Sequence, residues 1–240
     1  MHMIPDLANV LFLDIETVAC TDSYSGLSER LKTQWARKAS FFKREELQTD
    51  EELFNLRAGI YAEFGKIIVI AVGKFYEPET GKLGLKTRCL SSDDEKKLLL
   101  DFKNLLEKSD QHTLKLCAHN GKEFDFPYLS RRMLVNNVSI PTVLNHTGKK
   151  PWEVPHLDTM EMWKFGDHKH YTSLDLLAAI FNISTSKSDM DGSQVNQVYY
   201  QEKNLEKIAH YCVGDVVALT QLYLKLKGLD LIENRFIVPG

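Results

Sequence analysis

A short apolar segment near the N-terminus carries two carboxylates and constrains the fold of the whole chain. Residues 11–20 read LFLDIETVAC, and the β-forming residues at 9–15 predict a buried strand that ends at Asp14 and Glu16. Because residues two apart in a strand point to the same side, the two carboxylates can project together. Like charges held this close need a cation, since burial and repulsion otherwise favour protonation. The pair alone is also compatible with an Asp that caps the following turn and an exposed Glu.

The patterns after this strand predict helices and strands in mixed order. Residues 25–62 are charged, with apolar positions at roughly helical spacing, and predict a helical insertion. Two β-rich segments, 65–76 and 83–90, are joined by EPETGK and predict a hairpin, which extends the first strand into a three-stranded meander. Ser92 precedes an acidic turn and predicts the N-cap of an amphipathic helix. A strand, HTLKLCAHN, and several helices follow, which together predict an α/β fold.

The overall composition limits the functional classes. A chain of 240 residues with 43% hydrophobic residues can bury one substantial core, so we expect one domain over residues 1–240. The formal net charge of -3 means that contact with nucleic acid would depend on local clusters of Lys and Arg. The four cysteines form no C-x-x-C pair, which indicates reduced thiols and a cytoplasmic protein. No apolar run reaches the length of a membrane span, so no membrane association is expected.

Two later acids lie where an unpaired carboxylate would be costly. NGKEFDFPYL places Asp125 in the opening turn of a helix that follows a strand, and YCVGDVVAL places Asp215 inside an apolar helix with Tyr211 on the same face. A buried Asp is costly unless it is paired or binds a metal. With Asp14 and Glu16, these residues suggest an oxygen-ligand site for two hard divalent cations. The spacing gives His and Cys no evident part in this site.

Three segments, LFLDIET, NGKEFDFPYL and YCVGD, resemble in order and context the three exonuclease motifs of the DEDD superfamily of 3′–5′ exonucleases, in the branch that carries tyrosine. The likeness is greatest to the proofreading domain of family B DNA polymerases and its free-standing bacterial relatives. Residues 187–195 also resemble a segment of those relatives, and the resemblance spans roughly residues 10–225. It implies a ribonuclease H-like fold, with a mixed sheet of about five strands, helices on both faces and the acids at one end.

The resemblance also implies roles for individual residues. Asp14, Glu16, Asp125 and Asp215 match the four acids that bind two divalent cations, Mg²⁺ or Mn²⁺, and Tyr211 matches the residue that positions the attacking water. His210 offers an alternative, because a second branch of the superfamily carries histidine five residues before the last Asp. Four residues back on a helix is about 400°, nearly the same face as Asp215, whereas five back points roughly 140° away. This geometry favours Tyr211.

The expected substrate is nucleic acid, most simply the 3′ end of single-stranded DNA, with a polymerase or repair partner acting in trans. An RNA 3′ exonuclease and a non-catalytic nucleic-acid-binding module of the same fold remain as alternatives. Basic residues near the motifs, including Lys122 and Arg132, could neutralise phosphates. We predict substrate contacts by four residues in or near the motifs: Thr17, Asn120, Phe124 and Lys187.

Overall fold

A mixed six-stranded sheet forms the centre of the fold. The computed structural model describes residues 5–45, 47–78, 81–167, 171–185 and 190–240. The strand order is β5-β4-β1-β2-β3-β6. The strands are β1 (Val10–Ala19), β2 (Gly65–Tyr76), β3 (Gly84–Ser91), β4 (Lys115–Ala118), β5 (Leu157–Asp158) and β6 (Ile237–Pro239).

Helices cover both faces of this sheet and connect its strands. They are α1 (Pro5–Ala8), α2 (Glu29–Ala39), α3 (Asp50–Arg57), α4 (Glu95–Leu106), α5 (Asp125–Val135), α6 (Thr159–Lys164), α7 (Leu174–Ile180), α8 (Val195–Gln197) and α9 (Leu205–Leu226). A π-helix, Val198–Glu202, continues α8. Within the described residues, no helix is both long and apolar enough to span a bilayer.

The strand pairing confirms the predicted α/β fold and its meander. β1 pairs with β2 and β2 with β3 in antiparallel orientation, while β4 is parallel to β1 and β5 is parallel to β4. The sheet has six strands where about five were expected, and the sequence patterns located neither β5 nor β6, a three-residue strand parallel to β3 at the sheet edge. Such a short strand at the end of the chain has no alternation long enough to predict it.

The first strand is longer than predicted, and this changes the position of the acids. β1 continues to Ala19, so Asp14 and Glu16 lie inside the strand rather than at its end. Asp14 is opposite Ala71 of β2, and the register shifts between Glu16 and Thr17. Carboxylate side chains project from the face of the sheet, so they leave the backbone hydrogen bonds with β2 intact.

The alternation of side chains along β1 separates two apolar layers. Val10 and Phe12 pack in the layer that contains α9, and the Phe12 ring lies 5.3 Å from that of Tyr223. Leu13 and Ile15 pack in the opposite layer, which contains α4 and α5. Because Asp14 and Glu16 share the face of Phe12, their carboxylates point toward α9.

Helix α9 packs closely against the sheet at a glycine. A Cβ atom added to Gly73 of β2 would lie 2.9 Å from Cγ1 of Val216 and 3.0 Å from Cδ1 of Leu85. Only a residue without a side chain therefore allows the helix to approach this closely. Since Val216 directly follows Asp215 in α9, this contact fixes the distance between Asp215 and the sheet.

Two helices occupy the insertion that was predicted after the first strand. Helices α2 and α3 lie between β1 and β2 in the chain and pack around Trp35, which is fully buried. The Trp35 ring contacts Phe54 and Phe64 at centroid distances of 5.3 and 5.0 Å, and its Nε1 donates to the carbonyl of Asp50 at 2.8 Å. The insertion thus has its own aromatic cluster beside the sheet.

The N-cap of α4 differs from the prediction. Asp94, rather than Ser92, accepts a hydrogen bond from the backbone N–H of Lys97, at 3.1 Å. Ser92 instead accepts from the backbone N–H of Asp94. Both residue types cap helices well, so the sequence could not determine which of the two begins the helix.

Candidate active site

Two carboxylates of β1 lie side by side on the face covered by α9. Glu16 is buried, with 8% of its surface exposed, and Asp14 is partly buried. Ligand atoms of Asp14, Glu16 and Cys212 all lie within 4.8 Å of one another. The β-strand holds the two acids at a fixed spacing, as the D-x-E pattern predicted.

Asp125 joins these acids from the start of α5. It is the first residue of α5, is 3% exposed, and its carboxylate is hydrogen-bonded by the backbone amide of Ile15. Burial is the main cause that raises the pKa of Asp125 from 3.8 to about 7, with a further contribution from the negative charge of Asp158. The carboxyl is therefore held in an environment that opposes its charge.

Helix α9 supplies the last acid together with the tyrosine. Tyr211 is 6% exposed, and its side chain is hydrogen-bonded with that of Asp215. Burial first, and then the charges of Asp215, Glu16 and Asp14, raise the pKa of the Tyr211 phenol far above its ordinary value. His210 is exposed to solvent, so the structure brings the tyrosine and not the histidine to the acids.

The four acids interact electrostatically as one cluster. Burial is the largest cause that raises the pKa of Asp14 well above its ordinary value, followed by the charges of Glu16, Asp125 and Asp215. This is the response expected when several carboxylates share a site without a compensating positive charge. The clustering agrees with the arrangement expected from the sequence, whereas the role of each acid as a metal ligand stays a prediction.

Cys212 also belongs to this cluster, although the sequence analysis gave cysteine no part. Its Sγ lies 3.3 Å from Oδ2 of Asp14 and 3.4 Å from the Asp14 carbonyl oxygen. Burial, and then the charges of Asp14 and Glu16, raise the pKa of the thiol well above its ordinary value, so it stays protonated and donates to Asp14. Helical spacing could have identified it, because Cys212 precedes Asp215 by three residues and shares its face.

A second residue that the sequence analysis missed fixes the loop before Asp125. The buried carboxylate of Asp158 accepts backbone hydrogen bonds from Asn120 and Lys122 at 3.0 and 3.1 Å. It also accepts from the first turn of α6, at the backbone N–H groups of Met160 and Glu161. One carboxylate therefore links the end of β5, the loop after β4 and the start of α6.

The predicted substrate contacts lie in different environments. Asn120 has a left-handed backbone (φ 64°), and its buried Oδ1 has no hydrogen-bond partner among the described residues. Phe124 is partly buried, with its ring 5.3 Å from that of Tyr128, whose side chain also hydrogen-bonds Thr17. Lys187 lies outside the described residues.

One of the basic residues considered for phosphate contacts has a different role. Arg132 is buried and forms a salt bridge of 2.5 Å with Glu95, and its guanidinium also donates to the carbonyl of Ala62. These bonds engage the guanidinium inside the protein, so Arg132 is not available to bind a phosphate of the substrate. Lys122 is paired with Glu161 at 2.7 Å.

The donor set fits hard divalent cations. Carboxylate oxygens are the ligands that Mg²⁺ and Mn²⁺ prefer, and the site combines several of them in a partly buried cluster. Bound cations would remove the charge repulsion that raises the pKa of Asp14. Among the described residues of the cluster, the only sulfur atom is Sγ of Cys212. It donates a hydrogen bond to Asp14 and so orients that carboxylate, which leaves oxygen as the ligand type available to a metal.

Comparison with solved structures supports the fold. A family B DNA polymerase from the hyperthermophilic archaeon Pyrobaculum calidifontis matches 91% of this chain with a TM-score of 0.56 and 14% sequence identity. The matched region is 24% of the polymerase chain, so this protein spans about a quarter of its length. At this identity the likeness shows the fold, a mixed sheet flanked by helices of the ribonuclease H-like type.

A family model gives the more specific result. The model described as "Predicted 3'-5' exonuclease related to the exonuclease domain of PolB" matches residues 60–233, which is more than half of the chain. The match begins after Asp14 and Glu16, so the membership of these acids in the site rests on the structure. It includes the segments of Asp125, Tyr211 and Asp215, and the chain therefore belongs to this family of predicted 3′–5′ exonucleases related to the exonuclease domain of PolB.

Proposed function

We propose that this protein is a metal-dependent exonuclease that hydrolyses single-stranded DNA from its 3′ end. The observation that carries the proposal is the convergence of Asp14, Glu16, Asp125 and Asp215 from three separate elements onto one partly buried cluster. A cluster of this kind is costly for folding unless it binds cations. Membership in a family of predicted exonucleases supports the same reaction class.

In this proposal the four acids hold two divalent cations, Mg²⁺ or Mn²⁺. When bound, such cations activate water and stabilise the charge that develops on the scissile phosphate. Tyr211, whose phenol stays protonated beside Asp215, orients the attacking water by a hydrogen bond. Asn120 and Phe124, at the opening of the Asp125 helix, contact the terminal nucleotide, and so does Thr17 of β1.

A direct assay tests this function. An oligodeoxynucleotide labelled at its 5′ end is incubated with the protein in Mg²⁺, Mn²⁺ or EDTA, and the product ladder is read over time. We expect progressive shortening from the 3′ end, release of mononucleotides, and no reaction in EDTA. Asp125→Asn, which keeps the side-chain volume, is the matched control and should be inactive in both metals.

Three results of this assay would contradict the proposal. Equal degradation in EDTA would exclude a metal-dependent reaction, and cleavage of closed circular single strands would show an endonuclease. Binding of the oligonucleotide without any cleavage would favour the non-catalytic module. An RNA strand of the same sequence, run in parallel, distinguishes a DNA exonuclease from an RNA exonuclease, because only ribose contacts separate the two.

A further inference from the structure

An exposed aromatic side chain, Tyr171, lies beside the acid cluster. It is 64% exposed, and its ring contacts that of His119, which directly precedes the Asn120 loop that leads into Asp125. It lies three residues before Leu174, the first residue of α7, in a segment that has no role predicted from the sequence. A large ring kept at the surface beside the loop that leads into a proposed active site has an available face for a ligand.

Hydrogen bonds fix the backbone that directly follows Tyr171. Nε2 of His119 donates to the carbonyl of Thr172 at 2.7 Å, and Nδ1 of the same imidazole lies 2.9 Å from Oγ1 of Thr159. The His119 ring also contacts the Tyr171 ring edge to face, at a centroid distance of 6.3 Å. Ser173 caps α7 immediately afterwards by accepting from the backbone N–H of Leu176. A ligand that contacts this ring therefore orders little additional structure.

The surroundings select the chemistry of that ligand. The nearby groups are carboxylates, so they repel a negatively charged ligand group at this position. A neutral aromatic group meets no such repulsion and can bind against the ring. The Tyr171 phenol is uncharged near neutral pH because its ordinary pKa is 10.0, and partial desolvation and then the charges of Asp125 and Asp14 raise that pKa further. A nucleobase is neutral and aromatic, and stacking on an aromatic side chain is the usual way in which single-stranded nucleic acid is held without sequence preference.

We propose that Tyr171 stacks on one of the two bases that flank the bond to be cut, and so positions the end of the strand over the acid cluster. This inference rests on the proposed exonuclease function and adds a specificity-determining contact to it. The substrate class that follows is a strand whose terminal bases are unpaired, because a base within a duplex is already stacked on its neighbours. His119 is a positioning residue for this contact, since it acts through Thr172 and the Tyr171 ring.

The test compares Tyr171→Leu, which removes the ring, with Tyr171→Phe, which keeps the ring and removes the hydroxyl. We expect Tyr171→Leu to raise KM for single-stranded DNA by about 5- to 100-fold, as for the loss of one stacked base, with kcat within about threefold of wild type. Tyr171→Phe should resemble the wild type. Phe236→Leu, next to β6 at the opposite edge of the sheet from β5, is the matched control and should change neither constant.

Substrates with an abasic site at the last or the next-to-last position identify the stacked base. On the correct abasic substrate, the difference between the wild type and Tyr171→Leu should disappear. An unchanged KM in Tyr171→Leu would overturn the inference, as would a penalty that persists on both abasic substrates. If Tyr171→Phe is as impaired as Tyr171→Leu, the hydroxyl and not the ring makes the contact, which also overturns stacking.

A binding measurement separates this inference from the exonuclease proposal. An oligonucleotide with 2-aminopurine as its last or next-to-last base is titrated with each protein in EDTA and in Ca²⁺, and its fluorescence reports stacking without turnover. A wild-type change in fluorescence that Tyr171→Leu abolishes supports the stacking contact even if the wild type fails to cleave DNA. If the wild type cleaves DNA but both proteins give the same fluorescence, the inference fails and the proposed function stands.

Discussion

At the scale of single residues, Asp14 is the carboxylate whose pKa is raised by the charges of all three other acids. We expect Asp14→Ala to lower the rate of DNA hydrolysis by at least about 10³-fold, because it removes a ligand proposed for the cations. The measurement is the initial rate in Mg²⁺ and in Mn²⁺. Asp101→Ala, which removes a surface acid of α4 paired with Lys97, is the control. Activity of Asp14→Ala within a factor of two of wild type would contradict the assignment.

Tyr211 and His210 give the second test at this scale. Tyr211→Phe keeps the buried ring and removes the hydroxyl beside Asp215, so we expect the rate to fall by roughly 10²–10⁴ while the melting temperature changes little. His210→Ala should change the rate by less than about threefold, since its side chain is exposed. A large loss in His210→Ala together with an active Tyr211→Phe would place the protein with the histidine branch.

At the scale of secondary-structure elements, Asp158 holds the start of the second motif, the segment that contains Asp125, against β5 and α6. Asp158→Ala removes the acceptor for both the loop at Asn120–Lys122 and the first turn of α6. We expect unfolding free energy to fall by about 2–4 kcal/mol, since several buried N–H groups lose their partner. The rate should fall as well, because the displaced loop leads directly into Asp125.

The matched control is another helix cap that lies outside the site. Asp94→Ala removes the exposed N-cap of α4, and we expect it to cost about 1 kcal/mol with no loss of activity. Urea denaturation measures the stability of both variants, and assays at increasing Mn²⁺ concentration show whether a lost rate can be restored. Equal effects of the two variants on activity would contradict a specific role of Asp158 in positioning Asp125.

At the scale of the whole molecule, the acid cluster links stability to pH and to cations. The pKa of Asp125 is about 7 in the folded protein and 3.8 as its ordinary value. Between these values the folded protein retains a proton that the unfolded chain has released, so this group lowers stability as pH rises from about 4 to 7. Without cations, we therefore expect the wild type to melt at a lower temperature than Asp125→Asn at pH 8, with a clearly smaller difference at pH 5.

A buried histidine also makes the stability of the protein depend on pH. The melting temperature of the wild type must therefore be compared with that of Asp125→Asn at each pH. The pKa of His156 is lowered to about 3, chiefly by burial, so this residue makes stability rise with pH below about 6.5. The same contribution is present in Asp125→Asn and cancels in the difference. Mg²⁺ or Mn²⁺ should raise the melting temperature of the wild type at pH 8 more than that of the variant. A difference that is independent of pH would contradict the raised pKa of Asp125.

The sequence by itself determined the order of the elements and the identity of the clustered acids. The β2 and β3 segments, the insertion around Trp35 and the helix of Asp215 follow from local patterns of apolar residues, which depend only on neighbours in the chain. The helical spacing between Tyr211 and Asp215 likewise selected the tyrosine, and the buried Tyr211 beside Asp215 agrees with it. The extent of the single domain over residues 1–240 stays a prediction.

Only the tertiary structure decided which residues from distant segments meet. Three interactions join residues that are far apart in the chain. They are the thiol of Cys212 with Asp14, the carboxylate of Asp158 with the loop before Asp125, and the ring of Tyr171 with the acids. Arg132 was wrong as a phosphate contact for the same reason, since its partner Glu95 is 37 residues away. Local patterns report which face of an element is apolar, whereas the partner of a buried polar group depends on how the elements pack.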